Sequence, residues 1–283
     1  MATKKNPGPH TSLPEIPAPR DVDYPGTLKI EVDASDTTQG IFRVHETLPV
    51  AAGPLVLLYP KWIPGYHSPG GPIAKLAGLK ITAAGQPLAW LRNQYDVYAF
   101  HVEVPQGIAE IALDYQYLSP RVPGEGAAEM SSAILDLVWS CLVLYPAGHY
   151  SRRIVCEPSV KLPSGWHCGT ALESASREGD RVVFRGVALD QLVDSPLIAG
   201  RYHQRLDLAP GAQTPVHLEL FADAPRFLEV KEPQLAAHRA LVTQALRLFG
   251  AQHYRHYSFL LALTEKLSSH KGVEHHQSSE NGT

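Results

Sequence analysis

Short segments in which apolar and polar residues alternate make up most of the chain between Tyr24 and about Ala222. From Leu28 to Val32 every second residue is apolar, as in a strand with one face in the core and the other in water. Gly, Pro, Asn and Asp separate these segments, and such residues favour tight turns. The pattern predicts a mainly β fold, an antiparallel sandwich or folded saddle of sheets, over residues 23–222.

Turn residues between neighbouring segments predict how some of the strands pair. The sequence predicts a hairpin of residues 79–82 with 88–91, a second hairpin of residues 97–104 with 108–118, and a strand at 181–185 after a turn. The second hairpin would turn at Pro105 to Gly107.

The pattern changes at about Ala224, where a helix is predicted from Pro233 to Phe249. Its apolar residues recur every three or four positions, Pro233 suits a first helical turn, and Gly250 suits the C-terminal stop. A buried strand is predicted at 256–263 and a polar loop at 264–272. The last residues, 278–283, read as a polar end that provides no later element to cover that strand. Residues 223–283 are therefore predicted to be a short α+β unit, and residues 1–22 a disordered tail.

Charge and hydropathy disfavour two classes of partner. The formal net charge is −3 and the sequence pI is near 6.5, so no basic field exists for nucleic acid or for an anionic membrane. Met1 to Pro19 is polar and contains no apolar core of a signal peptide, which favours a cytoplasmic protein. A processed start would hide such a signal, so a periplasmic location stays open.

The residues with the clearest chemical interest lie near the end of the chain, where Glu274, His275 and His276 follow Gly272 and Val273. A zinc peptidase needs two His residues one helical turn apart with a Glu between them, in the pattern H-E-x-x-H. That pattern occurs nowhere in the sequence, and the nearest string has Pro49 where the second His should stand. We therefore predict neither a catalytic residue nor a metal ligand in this chain.

Three motifs carry a resemblance to a known family. Residues 60–66 are similar to the signature Pro-x-Trp-x-Pro-Gly-x-Tyr but one residue shorter before the Tyr, and residues 194–200 and 257–260 match further segments. Residues 271–275 are similar to Gly-Gly-Leu-Glu-His, with departures at Lys271 and Val273. Together these motifs resemble the glycyl aminopeptidase family of zinc metallopeptidases.

The resemblance implies an N-terminal β domain and the start of a thermolysin-like catalytic domain. The family's zinc helix, its second Glu ligand and its PDZ domain have no counterpart here, so the resemblance implies that zinc belongs to a full-length enzyme and that the missing domains act in cis. It also implies that the full-length enzyme removes small N-terminal residues, Gly or Ala, from peptides, and that this chain alone is inactive.

The resemblance also suggests roles for residues. Related aminopeptidases with a Gly-x-Met-Glu-Asn motif hold the substrate's free α-amino group with a Glu, and by analogy Glu274 would do so here. His275 would hold that carboxylate or line the cleft, with Val273 beside it. Gly272 would let the backbone approach the peptide closely. Trp62 and Tyr66 are candidates for the cleft lining.

Simpler interpretations stand beside these. Glu274 and His275 would equally suit a solvated loop end, Trp62 and Tyr66 a packed corner of the β domain, and Asp194 a turn whose carboxylate accepts backbone N–H groups. A metal site of His253, His256, His275 and His276 is disfavoured because the spacing spreads these side chains over several faces. The whole chain would also suit a stand-alone β-sandwich module for binding or scaffolding.

Overall fold

The computed structural model describes residues 15–120, 122, 127–267 and 271–282. Residues 1–14 of the predicted tail lie outside the described residues. Gly124 and Gly126, which the sequence predicts to lie in turns, also lie outside them. Within the predicted tail, the Arg20 N–H donates to the Gly148 carbonyl at 3.1 Å. Arg153 pairs with Asp21 at 2.7 Å. The ordered chain therefore begins before residue 22.

The described residues form 22 strands and two α-helices. The first eleven strands are β1 (Thr27–Asp33), β2 (Ile41–Pro49), β3 (Gly53–Leu58), β4 (Leu76–Ala83), β5 (Gln86–Leu88), β6 (Trp90–Arg92), β7 (Ala99–Val104), β8 (Glu110–Leu118), β9 (Glu129–Met130), β10 (Ile134–Leu137) and β11 (Tyr145–Pro146). The others are β12 (Val155–Lys161), β13 (His167–Thr170), β14 (Ser174–Glu178), β15 (Arg181–Phe184), β16 (Val187–Ala188), β17 (Leu197–Gly200), β18 (Tyr202–Asp207), β19 (Val216–Ala222), β20 (Tyr257–Leu263), β21 (Lys271–Glu274) and β22 (Ser278–Gly282). The α-helices are α1 (Leu189–Val193) and α2 (Glu232–Phe249), and short 3₁₀ turns occur at Ile73–Lys75, Trp139–Cys141, Ser151–Arg153 and Pro225–Leu228. The prediction of a mainly β fold is confirmed.

The N-terminal part is built on a nine-stranded sheet of order β14-β15-β12-β1-β2-β8-β4-β5, with β16 beside β12. Burial alternates along β2, so Phe42, Val44 and Leu48 point inward. The inner face packs against two four-stranded sheets, β13-β17-β10-β9 and β11-β3-β7-β6, in one continuous apolar core. Burial of such a core is the main stabilising term of the fold.

The first predicted hairpin is right in its turn but not in its second strand. β4 pairs with β5, with Ala84 and Gly85 at positive φ between them, whereas Trp90 to Arg92 forms β6 and pairs with β7. The strand predicted at 181–185 is present as β15, which pairs with β14. The predicted pairing around Pro105 to Gly107 is wrong, because β7 pairs with β3 and β6 while β8 pairs with β2 and β4. The two strands are consecutive in sequence but belong to opposite layers of the sandwich.

The C-terminal part is a five-stranded sheet of order β18-β19-β20-β22-β21. β19 and β20 are parallel, and α2 supplies the crossover that parallel neighbours require. The helix covers one face of the sheet through Val242, and Gly250 ends it at φ 66°, as predicted. The other face packs on β10 and β17 through Phe221, Leu260 and Ala262.

The interpretation of residues 278–283 as a polar end is wrong for the described residues. Ser278 to Gly282 forms β22, which pairs with β20 on one side and with β21 on the other. A polar strand can occupy this buried position because its central residue, Glu280, lies beside cationic partners. Sheet membership also groups β18 and β19, which precede residue 223, with the C-terminal strands.

Among the described helices, none combines the length and the apolar content that crossing a membrane requires.

Candidate functional site

Strand β21 carries the predicted substrate contacts and forms the edge of the C-terminal sheet. Val273 lies opposite Glu280 of β22, and Glu274 lies opposite Ser279. Because side chains alternate along a strand, Gly272 and Glu274 share one face, whereas Lys271 and Val273 share the other, which faces the β domain. Among the described strands, β21 pairs only with β22, so its outer edge is open.

The face that carries Glu274 is in contact with solvent. Both Gly272 and Glu274 are exposed. A Cβ atom built on Gly272 would have no described atom within 4 Å, so no packing contact in the described chain requires glycine at this position. An open carboxylate beside an uncrowded backbone is an arrangement that a ligand with a cationic end can approach.

The opposite face of β21 is anchored by Lys271. Its ammonium group pairs with the Asp136 carboxylate on β10, lies 2.9 Å from the Glu280 carboxylate, and donates to the Ala127 carbonyl at 2.8 Å. The Asp136 and Glu280 side chains are only 3% and 4% exposed. One cation therefore compensates two buried carboxylates that belong to different sheets.

His275, which follows β21, continues this network. Its Nδ1 atom lies 2.9 Å from Oδ1 of Asp194, and its Nε2 atom lies 3.9 Å from Oε2 of Glu280. The other Asp194 oxygen accepts the backbone N–H of His276 at 2.9 Å. Asp194 does follow α1 at a chain turn, but its carboxylate serves a strand far away in sequence. The His275 side chain is 3% exposed.

Mutual interaction shifts the pKa values of these groups. Burial alone would lower the pKa of His275, yet hydrogen bonds and charge from Asp194 and Glu280 raise it to about 9. Burial would raise the pKa of Glu280, but the Lys271 charge and the surrounding hydrogen bonds lower it to about 2. Burial, reinforced by Glu280, raises the pKa of Asp136 well above its usual value. If Asp136 keeps its proton, two anions, Glu280 and Asp194, face two cations, Lys271 and His275.

The predicted cleft residues lie on a loop beside β21. The carbonyl of Lys61 accepts the N–H groups of Gly70 and Gly71, which closes the loop on itself. A Cβ atom on Gly65 would lie 2.7 Å from the Val273 Cγ1 atom, so the loop and the strand are in contact. Trp62 is 66% exposed and Tyr66 is 42% exposed. The structure therefore brings the loop to the predicted rim, and its contact with substrate stays a prediction.

The four histidines weighed as a metal site are dispersed. His256 Nε2 lies 2.9 Å from the Ala171 carbonyl and His275 faces Asp194, while the His253 and His276 rings lie 5.0 Å apart. Within the residues that the structure describes, no group of three or more His, Cys, Asp or Glu side chains could hold a metal ion.

Sequence reasoning missed Asp136 and Glu280. Asp136 occurs within the apolar run Ala133 to Val138, and an isolated carboxylate in such a run is a signal of a buried charge that needs a partner. Glu280 had no such signal, because its neighbours are polar.

The family model described as Peptidase M61 N-terminal domain matches residues 29–201. Among curated proteins, no match to the chain was found. The match covers the nine-stranded sheet from within β1, both four-stranded sheets and the segment that contains Asp136 and Asp194.

Three solved structures share the fold. An aminopeptidase N family protein from Idiomarina loihiensis has a TM-score of 0.75 and 18% identity, over 90% of this chain and 42% of that chain. An M1 zinc metallopeptidase from Deinococcus radiodurans has a TM-score of 0.52 and 14% identity, over 93% of this chain and 60% of that chain. A mutant of that metallopeptidase, bound to a Tyr-Ser-Ala substrate, has a TM-score of 0.52 and 14% identity, over 92% of this chain and 60% of that chain. The chain therefore spans about half the length of these proteins.

Proposed function

Because the chain belongs to the peptidase M61 family through its N-terminal domain, we propose that it forms the β domain and the substrate-side edge of a zinc metallo-aminopeptidase. The resemblance to the glycyl aminopeptidase family is confirmed for residues 29–201. In this proposal the β domain ends near residue 201, where the family match stops and β18 begins the C-terminal sheet.

The observation that carries the proposal is the position of Glu274 on β21. Its carboxylate is exposed at an open sheet edge, while the opposite face of the same strand is fixed against the β domain. A peptide that adds to an open edge has its backbone aligned by the strand. A carboxylate at that edge can then bind the free α-amino group by a charge-assisted hydrogen bond and set the register of the first peptide bond.

The substrate would be a peptide with a free N-terminus. The open space above Gly272 supports close approach of the peptide backbone, and the exposed Trp62 and Tyr66 would line the adjacent wall. A preference for N-terminal Gly or Ala, and a cytoplasmic location, remain predictions.

The described residues do not form a zinc site, because no three of their His, Cys, Asp or Glu side chains lie where they could hold a metal ion. The whole sequence also lacks H-E-x-x-H. In the proposal, therefore, the metal and the general base belong to a longer polypeptide, and this chain positions the substrate. Alone, it would not hydrolyse peptides.

Binding to the chain itself provides a direct test. A glycyl tripeptide with a free amine should bind wild-type protein more tightly than the same peptide with an acetylated amine. Glu274→Gln should weaken binding of the free-amine peptide by about tenfold or more, the effect of losing a hydrogen bond to a charged group. Glu178→Gln is the matched control, since Glu178 is an exposed carboxylate on β14, the edge of the large sheet.

Activity provides the second test. We expect hydrolysis of glycyl and alanyl reporter substrates, with one bound zinc, only from a polypeptide extended through the next roughly 150 residues of its gene, an ordinary domain length. Activity in the short chain would mean that it contains a metal site of its own.

Two observations favour the alternative of a stand-alone binding module. The C-terminal sheet continues past β20 through β22 and β21, so β20 is covered on both sides in the described structure, as a self-contained module requires. Leu248 and Phe249 on α2 are also 77% and 75% exposed, which suits a partner surface. Absence of activity and of zinc in the extended polypeptide would support the module.

A further inference from the structure

A continuous row of five ionisable side chains joins the β domain to the edge strand. In spatial order they are Asp136, Lys271, Glu280, His275 and Asp194. Asp136 and Asp194 belong to the segment matched by the family model, and the other three belong to the C-terminal sheet. We propose that Lys271 and His275 are positioning residues that clamp β21 onto the β domain and thereby fix the Glu274 carboxylate.

The geometry places the two clamp points on either side of Glu274. Lys271 begins the strand, and His275 follows Glu274 directly. Both side chains point away from the Glu274 face, so they can hold the strand without occupying the space of a ligand. Glu274 itself then needs no contact with the clamp to be oriented by it.

The strand needs such support because its own pairing is weak. β21 has four residues and, within the described chain, pairs with one neighbour, and a short strand at a sheet edge frays readily. Loss of the clamp would let the strand move while the rest of the sheet stays paired. The effect would be local, at the amine anchor.

The role of the clamp is to orient β21 rather than to add to the stability of the fold. Burying ions costs desolvation energy that their attraction barely repays, so the contribution of these pairs is to specify one geometry. Lys271 is also one of the two positions at which residues 271–275 depart from the family's usual motif.

The clamp should depend on the charge of His275. Two acidic groups face its ring directly, Asp194 after α1 and Glu280 on β22, with Lys271 and Asp136 next in the row. Protonated His275 can donate to Asp194 at 2.9 Å and attracts Glu280 by its charge across 3.9 Å, a distance too long for a hydrogen bond, whereas neutral His275 loses that attraction. The raised pKa of His275 keeps the ring charged at neutral pH.

Hydrogen–deuterium exchange of residues 271–276, read by mass spectrometry, tests the proposal without any substrate. We expect His275→Gln and Lys271→Met each to speed exchange of this segment by about tenfold or more, the effect of losing a hydrogen bond to a charged group. Labelling times are kept short enough that β2 and β8 stay protected in every variant, so that the exchange that is read comes from local opening. The control is His45→Gln, because His45 makes an exposed pair with Asp114 at 2.8 Å and should leave the segment as in wild type.

A pH series tests whether the clamp depends on the charge of His275. After correction for the intrinsic exchange rate, protection of residues 271–276 in wild-type protein should fall as pH rises through about 9, and His275→Gln should be low and independent of pH in that range. Unchanged exchange in both variants, or the same pH profile in wild type and His275→Gln, would overturn the proposal. If Lys271→Met fails to fold, His275→Gln alone decides.

The contacts of the clamp do not depend on the proposed function. Only its purpose, to fix the carboxylate that binds the substrate, rests on that function. If the clamp variants loosen the segment and also weaken free-amine peptide binding, both proposals stand. If Glu274→Gln binds that peptide as wild type does while the clamp variants still loosen the segment, the proposed function fails and the clamp remains. If exchange is unaffected while Glu274→Gln loses binding, the clamp fails alone.

Discussion

Gly65 lies directly against Val273, so that a Cβ atom at position 65 would come within 2.7 Å of the valine Cγ1 atom. The contact joins the loop that carries Trp62 and Tyr66 to the strand that carries Glu274. Gly65 also has φ of 77°, a conformation that costs other residues strain. Two independent restrictions, one of backbone and one of packing, therefore act on this one residue.

Gly65→Ala should lower the free energy of unfolding by about 2–4 kcal/mol, from left-handed strain together with overpacking. Gly78→Ala is the control, since Gly78 has φ of 68° but no described atom within 4 Å of its Cβ position, and should cost only about 1–2 kcal/mol. Adding Val273→Ala to Gly65→Ala should recover part of the difference. Chemical denaturation of wild type, Gly65→Ala, Gly78→Ala, Val273→Ala and the double variant measures this, and simple additivity of Gly65→Ala and Val273→Ala would exclude the contact.

Gly272→Ala should behave in the opposite way. Position 272 is open, so alanine should leave the free energy of unfolding unchanged or raise it by up to about 1 kcal/mol. The new methyl group should nevertheless weaken binding of a free-amine glycyl peptide, because it occupies the space through which the peptide approaches. Denaturation and peptide titration measure the two effects separately, and unchanged affinity would place the peptide elsewhere.

Lys271→Met should be among the most costly single changes in the chain. It leaves the anionic Glu280 carboxylate and the Asp136 side chain without their cationic partner, and breaking a buried pair from one side costs about 3–5 kcal/mol. Lys271→Met combined with Glu280→Gln should be more stable than Lys271→Met alone, because the buried anion that has lost its cation is gone. Equal stability of the single and double variants in urea would contradict the network.

The sequence predicted the parts of this molecule that depend on local patterns. The alternation of apolar and polar residues predicted the strands of the β domain. The apolar residues spaced three or four apart, together with Gly250, predicted α2. It did not predict that β7 and β8 belong to different layers, because hairpin propensity is local and the layering of sheets is not. For the same reason it assigned Ser278 to Gly282 to a polar end: the burial of Glu280 depends on Lys271 and His275, whose positions only the folded chain defines.

Deprotonation of His275 should destabilise the fold at alkaline pH. Its folded pKa of about 9 lies above the ordinary value of 6.5, so its contribution is fully present below pH 6.5 and is lost as pH rises through about 9. The difference corresponds to at most about 3 kcal/mol. Urea unfolding between pH 6 and 9.5 should show this extra loss in wild type and in His45→Gln but not in His275→Gln. Parallel curves for all three would refute it.

Glu46 should destabilise the fold at neutral pH. Burial raises its pKa to about 8 although Tyr115 donates to it at 2.6 Å, so its stabilising contribution is full below about pH 4.5 and is lost as pH rises through about 8. Glu46→Gln cannot ionise and should raise the free energy of unfolding by about 2–3 kcal/mol at pH 7, with little gain at pH 4.

The exposed Glu110 on β8 is the control for that change, and Glu110→Gln should leave stability the same at both pH values. Thermal melts at pH 4 and pH 7 make the comparison. A Glu46→Gln variant that is less stable than wild type at pH 7 would show that Glu46 is ionised in the folded protein.

The position of β1 in the large sheet has a consequence for biosynthesis. β1 is made well before β12, one of its two neighbours, and Thr27 pairs with Val155. Such long-range parallel pairing is slow, because a large loop must close before the contacts form. During translation, the edge of β1 that pairs with β12 would stay unpaired until the ribosome has passed β12. Chaperone capture of nascent chains that stop short of β12 is therefore to be expected.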